Sequence, residues 1–202
     1  MLVEAYKAGT ALLAALAKER DNGLSMSVAR PKALHPIVRL AARGELESHA
    51  PLDPIKRAAF QPSTPGVQEY TESACACLRE LCANPKLHFL LHGAKAMSVL
   101  MLRMQDKQFS TAAARTAACG ALVNLSALTP EQTALLVPGR GGTAPTELQS
   151  LLLQEGVLEA AADVIRWAPE EEVAVEAARL VATLADTAAL SAERERCVRQ
   201  QG

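Results

Sequence analysis

The side chains best equipped for chemistry in this 202-residue chain cluster between positions 75 and 92. His88 and His92 stand four apart, so one helix would carry both imidazoles on one face, a spacing that can hold zinc. The residues between them are Phe89, Leu90 and Leu91, with no glutamate, so the metalloprotease pattern is absent. Cys82 is near in sequence, but no fourth ligand declares itself, and a structural role is the stronger reading. Cys75, Cys77 and Cys82 do not have zinc spacing for a helix. Cys75 and Cys82 share a face as core residues, whereas Cys77 faces elsewhere. The Gly-rich stretch PGRGGTAPT (138–146) lacks the lysine and hydroxyl residue that end a phosphate-binding loop. Met97, Met101 and Met104 read as core filler. No Ser-His-Asp set, carboxylate pair or dinucleotide fingerprint is found. The expectation is a non-enzyme with no catalytic residues, no metal and no cofactor.

Half of the residues are hydrophobic but only 3% are aromatic, so the apolar content is mainly Ala, Leu and Val. That composition suits closely packed helices better than sheets. The net charge of −1 gives no global case for nucleic acid or membrane as partner. Residues 1–100 carry 12 Lys/Arg against 9 Asp/Glu, and residues 101–202 carry 9 against 13, a mild polarity of +3 and −4. Five cysteines in apolar helical segments read as reduced thiols. No apolar run approaches the ~20 residues that cross a bilayer. The N-terminal segment has Glu4 early and no arginine before Arg20, and it fits a repeat better than a targeting leader. A cytoplasmic or cytoskeletal location is expected, with cilium and nucleus left open.

Helices are expected over 1–20, with Leu12, Leu13 and Leu16 as the apolar stripe, and over 33–43, with Pro36 in the first turn. Residues 45–66 hold four prolines and read as a long loop. Further helices are expected over 67–83, 86–92, 94–104, 110–128, 130–137, 151–155, 157–168, from 170 through 184, and 192–201. Gly93 and Gly156 are expected to turn the chain between consecutive helices. Residues 138–149 read as a second, Gly/Pro-rich insertion.

Four of these segments superpose. Leu16, Leu81, Leu125 and Leu184 fall at one position, and Leu13, Leu78, Leu122 and Val181 stand three residues earlier. Seven before it come Gly9, Ala74, Ala118 and Ala177. The middle pair is 44 residues apart, within the ~40–47 range of helical solenoid repeats. Segments KLHFLLHG, AKAMSVLMLRM and STAAARTAACGALVNLSAL follow in order, and LLLQEG, VLEAAADVIRWA and EEEVAVEAARLVATLAD repeat the plan. In this the chain resembles the armadillo-repeat family, whose unit is a short helix ending in glycine, a second helix, and a long third helix with small-residue and leucine positions. The resemblance spans nearly the whole chain outside the two loops. It implies an all-α, armadillo-like right-handed α-solenoid of about three to four repeats in a single array over 1–202. The final SAERERCVRQQG resembles the first helix of an incomplete repeat.

The family's third helices line a concave surface that binds protein segments. The resemblance places Glu80, Asn124, Arg179 and Thr183 as the partner-binding residues here, with Ala15 at the remaining equivalent position. Importin-type members carry tryptophan four residues before an asparagine. The tryptophan positions here hold Ala11, Ala76, Gly120 and Arg179, so an importin-like peptide adaptor is a lesser alternative. A basic patch of Arg30, Lys32, Arg39 and Arg43, which Lys56 and Arg57 could join, offers either contact with an acidic or cytoskeletal surface or a plain solvated face. The function expected is a protein–protein interaction scaffold or assembly subunit with protein partners and no small-molecule substrate. A cytoskeletal or ciliary complex component is the first alternative.

Overall fold

The computed structural model describes residues 2–18, 31–43, 66–127 and 144–185, and every element among them is helical, with no strand. The elements are α1 (Leu2–Ala17), α2 (Pro31–Ala41), α3 (Val67–Cys82), α4 (His88–Gly93), α5 (Ala96–Gln105), α6 (Ala112–Ser126), α7 (Ala144–Gln154), α8 (Val157–Trp167) and α9 (171–185). A 3₁₀ turn at Pro85–Leu87 joins α3 to α4. The protein is all-α. The expected helices over 130–137 and 192–201, most of the 45–66 stretch and residues 138–143 lie outside the described residues.

The core runs along α3 and α6. α3 packs against α1 on one side and α6 on another, and α2 also lies against it. Contacted from several directions, α3 buries Tyr70, Ala74, Cys75, Cys77, Leu78, Leu81 and Cys82. Cys77 was expected off the core face, but a helix flanked by three others has little free circumference. α6 is small-residue throughout its middle, with Ala114, Ala117, Ala118, Gly120 and Ala121 all buried, which lets neighbouring backbones approach closely. The small residues Ala74, Ala118 and Ala177, superposed in sequence, are each 0% exposed. Their α1 counterpart Gly9 is half-buried, and Leu16 is exposed.

Several boundaries differ from the sequence reading for identifiable reasons. α2 starts at Pro31, which suits a first turn, so Pro36 falls in the second turn, exposed to solvent. α7 starts at Ala144 and takes residues 144–149 out of the expected insertion. Pro145 falls in its first turn, where a missing N–H goes unnoticed. The corner before α5 is turned by Lys95, at φ 65°, two residues beyond Gly93. Gly156, at φ 77°, turns the corresponding corner before α8, as expected.

Candidate partner-binding surface

Polar contacts tie the long helices together across their exposed edges. Thr111 caps α6: its Oγ1 accepts from the Ala114 N–H at 3.1 Å and donates to Glu72 Oε2 on α3 at 3.0 Å. Further along, Asn124 Nδ2 on α6 donates to the Arg79 carbonyl on α3 at 3.0 Å. The Arg79 side chain lies across Gly120. A Cβ at position 120 would stand 2.7 Å from Arg79 Nε. Its guanidinium then reaches Glu176 on α9, Nη2 to Oε1 at 3.4 Å. Arg179 meets the same oxygen at 2.9 Å, while Glu176 Oε2 is buried without a hydrogen-bond partner. At the other end of the edge, Arg115 on α6 pairs with Glu170, just before α9.

The four expected partner-binding residues divide by environment. Asn124 is half-buried and joined to α3, and Arg179 is exposed and joined to Glu176. Thr183 Oγ1 donates back to the Arg179 carbonyl at 2.8 Å, and Glu80 is half-buried beside Arg79. Asn124, Arg179 and Thr183 thus belong to one contiguous strip with Arg79 and Glu176. Gly120, which the resemblance puts at a tryptophan position, is buried beneath Arg79. Arg79 and Glu176 were not foreseen. The signals that could have found them are a long cation superposed near a glycine, and the Glu176–Arg179 spacing of three on one helix.

The basic patch does not hold together as one solvated face. Arg30 lies outside the described residues, as does the Lys32 side chain, and Arg39 is half-buried. Arg43 is a structural cation only 4% exposed. It donates from Nη2 to Asp106 Oδ2 at 2.5 Å, and its guanidinium sits 5.6 Å from the Phe109 ring centre. Asp106 is a hub. Its Oδ2 also accepts from Arg103 Nη1 at 3.1 Å and Ser110 Oγ at 3.0 Å, and its Oδ1 accepts the backbone N–H groups of Gln108 and Phe109. This one carboxylate fixes the α5–α6 connection to the end of α2.

His88 and the cysteines of α3 are buried, whereas His92 is half-buried. His88 Nε2 lies 2.6 Å from the Cys82 carbonyl oxygen, which ties α4 to the end of α3, and burial lowers the His88 pKa from its ordinary value. With Nε2 as donor, Nδ1 is left buried without a partner. Burial pushes the thiols of Cys75, Cys77 and Cys119 up to about 12 and raises that of Cys82 as well. Among the described residues no three His, Cys, Asp or Glu side chains converge to hold a metal, and no helix is long and apolar enough to cross a membrane. Trp167 is held between charges, with Lys107 Nζ 4.4 Å and the Arg115 guanidinium 5.5 Å from its ring centre. No protein-family model matches the sequence, and the curated proteins offer no match either.

Proposed function

We propose that this protein is a non-enzymatic protein–protein interaction scaffold built as an armadillo-like α-solenoid. α3, α6 and α9 would be its third helices, and their outer edges would form the partner-binding strip. The observation that supports this best is the contact chain from Arg79 over Gly120 to Glu176, which aligns three long helices edge to edge in sequence order. Rigid parallel edges of this kind present side chains to a partner with little ordering cost. Small residues keep the strip shallow: Ala76 is half-buried on α3, and Ala178 and Ala182 are exposed on α9. Polar character comes from Glu80, Asn124, Arg179 and Thr183. That mixture favours an apolar helix or extended segment with a few charges over a ligand read by many hydrogen bonds.

Affinity purification of the full chain, compared with a Glu80→Lys/Arg179→Glu variant, tests this reading. Partners identified by mass spectrometry should be captured by the parent chain and lost from the variant, with helicity by circular dichroism unchanged. A partner set that survives both substitutions would count against the strip as the binding surface.

A further inference from the structure

α1 uses only one side of its circumference inside the fold. Val3, Tyr6, Leu13, Ala14 and Ala17 turn toward the core, and the Tyr6 and Tyr70 rings meet edge to face with centroids 5.9 Å apart. The diametrically opposite side carries Ala5, Ala8, Leu12 and Ala15, spaced three, four and three residues apart. That is the a and d spacing of a helix–helix seam. All four are exposed, with Leu12 60% exposed.

We infer that this face of α1 docks against a second copy of itself in an antiparallel, twofold pair. Two complementarities select that occupant and its register. The first is charge. Glu4 and Lys18 lie at the two ends of the same flank of the seam, both exposed, and neither has an ion-pair partner among the described residues. They occupy equivalent g positions of the heptad, with Ala11 midway. In an antiparallel pair g faces g, so a twofold axis level with residues 10 and 11 brings Glu4 beside Lys18 of the second copy and Lys18 beside its Glu4. A parallel pair would leave Glu4 opposite Glu4 at one end and Lys18 opposite Lys18 at the other.

The second complementarity is volume. The same register pairs Ala5 with Ala15 and Ala8 with Leu12, so each leucine meets a methyl group. Charge and volume therefore agree on one offset. Two heptads make a short seam, which places the dimer in the weak, concentration-dependent class.

Sedimentation equilibrium of the full chain over a concentration series tests this. The parent protein should approach a dimer at high concentration. Leu12→Glu should abolish the dimer without changing helicity, because that side chain lies outside the core. Glu4→Lys should weaken dimerisation by roughly tenfold, since both symmetry-related pairs become repulsive, and adding Lys18→Glu should restore it. The double swap opposes the helix dipole at both ends of α1, so recovery cannot come from a more stable helix. A monomer at every concentration, a dimer indifferent to Leu12→Glu, or a double swap no tighter than Glu4→Lys alone would each overturn the inference.

Discussion

Arg79 on α3 lies over Gly120 on α6 so closely that a single added methyl would stand 2.7 Å from its Nε. Glycine in a helix interior costs about 1 kcal/mol relative to alanine, so its presence here reflects the room that Arg79 takes. Gly120→Ala in an Arg79→Ala background should therefore stabilise the protein by about 1 kcal/mol. In the parent chain the same change should gain less or turn unfavourable, because Arg79 must leave Glu176. A four-variant urea denaturation cycle measures the coupling. Equal effects in both backgrounds would show that the close approach is not felt.

Asp106 holds two buried cations. The Arg43 and Arg103 side chains are 2% and 1% exposed, and both donate to its Oδ2. Removing one member of a buried ion pair leaves an uncompensated charge and costs about 3–5 kcal/mol. Asp106→Ala should therefore be among the most damaging single substitutions. Asp106→Asn should recover part of the loss, since an amide oxygen can still accept from backbone N–H groups. Chemical denaturation midpoints of the two variants give the ranking.

His88 makes stability depend on acidity. Its folded pKa is depressed by burial while the unfolded chain retains the ordinary 6.5, so the unfolded state takes up the proton first. The contribution is complete above about pH 6.5 and is lost as pH falls below it. Urea midpoints should fall over that acid range in the parent protein and fall less in His88→Gln, whose amide can still donate toward the Cys82 carbonyl. An unchanged slope would assign the acid sensitivity to other groups.

Much of the helical plan was legible because each long helix repeats small residues and leucines at helical spacing. What could not be read were features that depend on which neighbour is present. Gly93 looked like the corner before α5 because glycine is the usual left-handed residue, yet Lys95 adopts φ 65° there and Gly93 merely ends α4. Local composition favours glycine; packing on both sides of a joint can override it. Arg43 read as part of a solvated patch because its acidic partner is 63 residues away. At the candidate surface, Asn124, Arg179 and Thr183 could be named from superposed helical segments of the sequence alone. Arg79 crossing Gly120 did not, since no single-helix pattern shows what lies opposite.

The thiols of Cys75, Cys77, Cys82 and Cys119 are all buried, and burial holds each in the protonated form that reacts poorly. Native protein treated with iodoacetamide at mildly alkaline pH should leave these four unmodified, and all four should react in guanidinium. Peptide mapping distinguishes them from Cys197, which lies outside the described residues. Rapid native modification of any of the four would mean that its helix opens readily.

The methyl-sized interior of α6 inverts the usual vulnerability of a core. Where a core is built from leucines, harm comes from truncation and the cavity it leaves. At Ala114, Ala117, Ala118, Gly120 and Ala121 there is almost nothing to remove, so nearly every substitution adds volume to a site that is already filled. The tolerance of α6 to random change is thus one-sided. Divergent copies of this chain should accumulate differences at the exposed corners first, while the central alanines of α6 drift least.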